Sequence, residues 1–131
     1  MNQELYRERL KTKSLPQLKK LATENFNAFI RERDKDLGCV SCGSFSGPMQ
    51  AGHYYSAGHH PGLRFNIDNC HNQCVKCNMY LSGNLIEYRK GLLSRIGAIN
   101  LQKLEDIAAY YKRNGYKHDK QVLIEIIIKH K

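Results

Sequence analysis

Nowhere in the 131 residues does an apolar run approach the ~20 residues that a membrane-spanning helix needs. The N-terminus, MNQELYRERLKTK, lacks the apolar core of a secretory signal. No internal repeat and no low-complexity linker interrupts the chain. Acidic residues are scarce: 12 Asp and Glu stand against 21 Lys and Arg, for a formal net charge of +9. Between Gly38 and Ile86 the single acid is Asp68. These absences argue against a membrane span and against secretion, so the expected compartment is a reducing cytoplasm. The surplus of positive charge favours polyanionic partners, nucleic acid ahead of an anionic membrane surface. The length fits one domain, with a modest core that a metal staple would help to hold.

Apolar periodicity divides the chain into three segments. In residues 1–37, Ser14 is a candidate N-cap with Pro16 in the first turn. Leu18, Leu21, Ala22, Phe26, Phe29 and Ile30 then recur at three- and four-residue steps, an amphipathic helix ending near Asp36 to Gly38. Residues 38–97 hold all five cysteines and read first as short strands and turns. A helix resumes near Leu81 to Asn84, buries Leu85, Tyr88, Leu92 and Ile96, and stops at Gly97. In residues 98–131, Asn100 caps a helix through Leu101, Leu104, Ile107, Ala108 and Tyr111, closed by Gly115. Asp119 caps a last one through Val122, Ile124, Ile127 and Ile128, although the β-branched run VLIEIII leaves a strand open there. The expected class is α+β: a small zinc-knuckle core of hairpin plus helix, flanked by N- and C-terminal helices.

Cys39-Val40-Ser41-Cys42 and Cys74-Val75-Lys76-Cys77 form two CxxC pairs. Two residues between thiolates let both sulfurs face one ion, and four such thiolates make the closed tetrahedral site that structural Zn²⁺ prefers. Cys70 lies outside this spacing and reads as a buried free thiol.

Between the pairs, His53 lies on the strand-like run MQAGHYY, Asn69 stands five residues ahead of Cys74, and Asn78 follows Cys77 directly. A strand His, a loop Asn and a ligand behind the second knuckle follow the order of an HNH nuclease. In that order the His takes a proton from water, the Asn ties the loop, and the last residue binds a divalent ion at the scissile phosphate. An imidazole suits the base role because its unperturbed pKa lies near ~6.5.

The run NAFIRERDKDLGCVSCGS, then AGHY, LRFNIDNCHNQCVKCNMYLSGNL and EYRKGLLSRIG, resembles the nuclease region of the NinG/Rap recombination proteins of lambdoid phages. The CxxCN ending is also similar to the phage resolvase endonuclease VII. The resemblance covers roughly Asn27 to Gly97 and implies an HNH, or ββα-metal, fold. It implies structure-dependent cleavage of D-loops and Holliday junctions, with His53 as general base, Asn78 as a ligand of Mg²⁺ or Mn²⁺, and Zn²⁺ on the paired cysteines. It places the protein in the cytoplasm of a bacterial host, encoded by a phage or prophage. The chain departs from the pattern at Gly52, where many HNH proteins carry an Asp, and at Asn78, where the motif ends in His. The catalytic metal ligands are therefore Asn78 with Asn84 or His71, and Asp68 swinging into the site is the alternative. The family's N-terminal cysteine-rich region is missing, so the chain is expected to be a fragment or a short form.

His71 is a candidate for orienting the phosphate. Arg64, Lys76, Arg89 and Lys90 are candidate DNA contacts, with Arg95 beside them. His59-His60, between Gly58 and Pro61, reads as a mobile loop tip outside the site. Two rival readings stand beside the nuclease: a zinc-knuckle DNA-binding module without turnover, and a recombination adaptor whose helical C-terminus docks a partner protein or a second copy of the chain.

Overall fold

The computed structural model describes residues 2–131. The order is α1 (Gln3–Leu10), α2 (Leu15–Arg33), β1 (Met49–His53), β2 (Cys70–Cys74), α3 (Leu85–Asn114) and α4 (Lys120–Lys129). A short 3-10 turn, Pro61–Leu63, lies in the loop between the strands, and a π-helical turn, Lys76–Tyr80, follows β2. The architecture is mixed α+β, with one two-stranded antiparallel hairpin among helices. No helix among the described residues is long and apolar enough to cross a membrane.

Local chemistry sets α2. Ser14 Oγ accepts the Gln17 N–H at 3.3 Å, and the Gln17 side chain accepts the Ser14 N–H at 2.9 Å, a reciprocal capping box. Leu18, Ala22, Phe26 and Ile30 form its buried stripe. The helix stops at Arg33, a few residues before the position expected from the sequence, because Asp34 turns inward to accept other donors. The run VLIEIII is helical in α4. Asp119 Oδ1 accepts the Gln121 and Val122 N–H groups, and Leu123, Ile124 and Ile127 pack with Leu10, Leu18 and Ala22. The three- and four-residue spacing of that face, reinforced by the cap, outweighs β propensity.

Gly97 does not end α3 but breaks it internally, at φ 83° and ψ 165°. That backbone favours glycine. It lets the two halves of α3 contribute Tyr88 and Leu92, then Leu101, Leu104 and Ala108, to one cluster around Leu63 and Val40. Asn100 does not cap a new helix; its side chain donates to the Ile96 carbonyl at 2.9 Å.

The strands pair from Met49↔Cys74 to His53↔Cys70. Alternation puts His53 and Cys70 on one face and Gly52 and His71 on the other. On the first face Cys70 packs with Phe26 and Ile30 of α2. The Val40 N–H donates to the Asn72 carbonyl at 2.9 Å, laying the first cysteine turn against β2.

Asp34 organises the second face. Its carboxylate, 2% exposed, accepts Arg33 at 2.7 and 3.0 Å and the Asn72 N–H at 3.0 Å, with Arg95 at 3.5 Å. Burial alone would raise this carboxyl, but Arg33 and the Asn72 N–H hold it below the ordinary range. Arg95 also donates to the Gly38 carbonyl at 2.6 Å, so its guanidinium serves the fold and is not a free phosphate contact. His71 sits in the same network. Arg33 donates to its Nδ1 at 3.2 Å, and its Nε2–H donates to the Asp68 carbonyl at 3.1 Å.

Burial, together with Arg33, pushes the His71 pKa down to about 4. An unfolded imidazole titrates near ~6.5, so the unfolded chain takes up this proton first. The His71 contribution is therefore complete above pH ~6.5 and is lost as the pH falls toward the folded value, amounting to about 2–3 kcal/mol. Urea unfolding of zinc-loaded protein at pH 7 and pH 4.5 measures it. The fall in stability is expected to be smaller in His71→Gln, and an equal fall would remove His71 as its source.

Candidate functional site

The first cysteine pair occupies the turn between Asp34 and β1. Cys74 is the last residue of β2, and Cys77 lies in the π turn. Their four sulfurs lie within 4.8 Å of one another, and Cys42 Sγ is 3.7 Å from Cys74 Sγ. A tetrahedral Zn²⁺ with Zn–S bonds of about 2.3 Å holds its sulfurs roughly 3.8 Å apart. The donor set and its spacing thus suit a structural metal such as zinc. The electrostatics agree. Burial raises Cys39, but the N–H groups of Cys42, Cys74 and Ser41 outweigh it and bring that thiol to about 7. Cys77 is pushed up to about 12, by burial and by its neighbouring sulfurs against the Asn84 amide. Four thiolates this close repel one another until a dication sits among them. Cys70 is buried outside the cluster, and burial lifts its thiol to about 12.

Beside this centre opens a cleft of about 430 Å³, with His53, Asn78, His59, His60, Ser56 and Ser82 among its lining residues. His53 ends β1, and its Nε2–H donates to the Arg64 carbonyl at 2.8 Å. That bond leaves the lone pair on Nδ1, whose nearest partner is the Cys70 sulfur at 3.8 Å. Burial lowers the His53 pKa, so the ring is neutral at neutral pH.

The loop carrying Arg64 is tied by Asn69, which is fully buried. Its Oδ1 accepts the Tyr55 N–H at 2.9 Å, and its Nδ2 donates to the Tyr55 and Leu63 carbonyls at 3.0 and 3.1 Å. The Tyr54 N–H closes the ring onto the Asn69 carbonyl at 2.9 Å. One amide therefore joins both ends of the loop at the residue preceding Arg64.

Asn78 reaches back across the hairpin, where its Nδ2 donates to Gln50 Oε1 at 2.8 Å. That bond leaves Oδ1 as the amide's acceptor. The other residues expected here are placed elsewhere. Asn84, at φ 43°, donates to Cys77 Sγ at 3.5 Å and so supports the sulfur centre. His71 lies on the opposite face of the hairpin, and Asp68 is outside the cleft. No carboxylate is found among the described residues that line it. His59 and His60, expected outside the site, do line the cleft. The Ser56 hydroxyl accepts the His59 N–H at 3.4 Å, the Ser56 carbonyl accepts the His60 N–H at 2.8 Å, and the His60 ring packs on Tyr55. Ser three residues ahead of His is the one sequence signal for this hydrogen-bonded turn.

The candidate DNA contacts scatter. Lys76 is exposed on the π turn. Arg89 pairs with Glu105 at 2.8 Å and Lys90 with Glu87 at 3.0 Å, both on the exposed side of α3. The Arg64 side chain leaves the cleft for a separate cavity beside α2.

Gly52 is required by packing. A Cβ there would collide with the Gln73 side chain, which is fully buried and donates to Ser41 Oγ at 2.9 Å and the Gly83 carbonyl at 2.6 Å. Gly52→Ala is expected to destabilise the zinc-loaded protein by about 1–3 kcal/mol. Chemical denaturation checks this, and an unchanged midpoint would mean that Gln73 has room to move.

A family model described as Bacteriophage Lambda NinG protein matches residues 2–128. The protein ninG of Escherichia phage lambda is 52% identical over 87 residues, covering 66% of this chain and 43% of that protein. The protein ninG of Salmonella phage P22 is 46% identical over 98 residues, covering 74% of this chain and 47% of that protein. The protein ninG of Escherichia phage 933W is 49% identical over 87 residues, covering 66% and 43%. The chain thus spans less than half the length of these curated relatives. No solved structure matches it at a significant level.

Proposed function

The chain belongs to the NinG family, and from that premise we propose that it is a metal-dependent DNA endonuclease of the HNH, or ββα-metal, type. Its substrates are branched recombination intermediates such as D-loops and Holliday junctions, met in the cytoplasm of a phage-infected bacterium. The similarity to endonuclease VII at the CxxCN ending belongs to the same reading. One observation carries it: a neutral imidazole, fixed at Nε2 by a main-chain carbonyl, shares a cleft with Asn78 beside the four-sulfur centre.

The residues divide the work. The sulfur centre, loaded with Zn²⁺, holds the first cysteine turn and the π turn against the hairpin, and so fixes His53 relative to Asn78. Nδ1 of His53, giving up its 3.8 Å contact with the Cys70 thiol, takes the proton of the attacking water. Asn69 keeps the loop closed, so the Arg64 carbonyl stays on Nε2 and the tautomer does not change. Mg²⁺ or Mn²⁺, when bound, neutralises charge on the scissile phosphate and the leaving oxygen. Asn78 Oδ1 would hold it together with phosphate oxygens of the DNA, because the cleft offers neutral donors and a hard cation requires more oxygen than they supply. Cleavage leaves 5′-phosphate and 3′-hydroxyl ends.

The lack of a carboxylate among the described residues that line the cleft favours a second reading, a zinc-knuckle module or recombination adaptor that binds DNA without turnover. A four-way junction incubated with the zinc-loaded protein and increasing Mg²⁺ or Mn²⁺ separates them. Metal-dependent nicking is expected; stable binding without a nick at any metal concentration would leave the module. Whether a homodimer makes paired cuts is read from the same products.

A further inference from the structure

Arg64 has two ends with different surroundings. Its carbonyl accepts His53 Nε2–H, while its side chain enters a second cavity of about 610 Å³ between α2 and the 116–118 segment. Lys19, Lys20, Lys117 and His118 line this cavity with Arg64, against one carboxylate, Glu24. Among the described residues, none of the three lysines nor Arg64 forms an ion pair. Two of the lining residues also carry nitrogens without protein partners: Arg64 Nε and both ring nitrogens of His118 are buried beneath the cavity wall and unbonded, so an anion reaches them only by a small shift of these side chains. Arg64 Nη1 reaches only Thr23 Oγ1, at 3.4 Å. The His118 ring is held between Tyr116 and Phe65, with centroids 5.2 and 5.9 Å away, so its place is set by packing. Burial, with Lys19 and Arg64 nearby, keeps it neutral.

Uncompensated cations around buried, unused nitrogens make a site for an anion with several acceptor oxygens. We propose that this cavity is a second phosphate subsite, which takes a backbone phosphodiester of the DNA distinct from the reactive one. The assignment rests on DNA being the substrate. Filling the subsite anchors the side chain of the residue whose carbonyl aligns the base, so a strand seated along α2 steadies His53 through one residue. Because the contacts are to phosphate, the subsite adds affinity without reading sequence.

The test uses the zinc-loaded full chain and omits added divalent ions, so binding is read whether or not the protein cuts. Affinities of wild type and Lys19→Gln/Lys20→Gln/Lys117→Gln for a four-way junction and a plain duplex are measured over a range of salt. The triple variant is expected to bind both DNAs roughly five- to tenfold more weakly, with a log–log salt slope shallower by about one per phosphate lost. Equal affinities and equal slopes, with the melting curve intact, would overturn the proposal. A second readout needs no variant: ¹⁵N signals of the His118 ring and Arg64 Nε, followed on adding inorganic phosphate or DNA. Shifts with DNA support the subsite; shifts with inorganic phosphate alone make it a free-anion site and overturn the assignment to DNA. Failure of wild type to nick a junction bears on the nuclease reading and leaves these binding results to stand or fall on their own.

Discussion

His53→Ala is expected to slow junction cleavage by about a hundred- to ten-thousand-fold, the usual contribution of a positioned general base. Zinc content and junction affinity are expected to stay near wild type. The ring lies at the end of β1, where it donates one bond to the Arg64 carbonyl and neighbours Phe26 at a centroid distance of 6.4 Å. Its loss therefore removes a proton acceptor without breaking the Asn69 tie or the sulfur centre. The pH profile gives an independent reading. Because burial lowers the His53 pKa, cleavage by wild type should hold down to pH ~6.5 and fall only below it, as the imidazole gains a proton. Cleavage retained in His53→Ala, with the same acid limb, would take His53 out of the mechanism.

Removal of the metal is expected to have the largest effect on stability. Zinc binding contributes on the order of ten kcal/mol in small modules, comparable to the ~5–15 kcal/mol by which whole domains are stable. Cys39, Cys42, Cys74 and Cys77 join the first cysteine turn, the end of β2 and the π turn, which have few large apolar side chains of their own to bury. Strong chelation, or Cys77→Ser, should melt the hairpin and the start of α3. The α1–α2–α4 cluster has its own apolar contacts through Leu10, Leu18, Ala22, Leu123 and Ile127 and should lose less. Amide exchange read by element distinguishes these regions. Unchanged protection of β2 in chelator would contradict a metal-held centre.

Features written in short-range patterns were legible in the sequence. Ser14 with Pro16 announces the start of α2, and Asp119 announces α4. Two CxxC pairs are enough to expect four sulfurs together, because that spacing leaves few other geometries for reduced thiols. Asn69 reads as a loop tie, and its amide does bond Tyr55 and Leu63. What depends on distant residues meeting was not legible. The Asp34–Arg33–Arg95–His71 network joins the end of α2, β2 and α3, and no local pattern marks Asp34 as buried. That network is why Arg95 is not free for DNA and why His71 faces away from the cleft. Gln50 and Gln73 are ordinary polar strand residues until the hairpin register sets one against Asn78 and the other beneath Gly52. Gly97 reads as a stop because a positive φ usually ends a helix; here the chain resumes a helix at once and returns to the same core.

Placing a divalent ion between two side chains is the most direct experiment. Zinc-loaded protein bound to a cleavage-resistant junction is titrated with Mn²⁺ while the side-chain signals of His53 and Asn78 are followed. Paramagnetic broadening of both at low Mn²⁺, ahead of His71 and Asn84, is the expected result. Broadening that spares His53 and Asn78, in a sample that goes on to cut an unmodified junction, would mean that the chemistry happens somewhere other than this cleft.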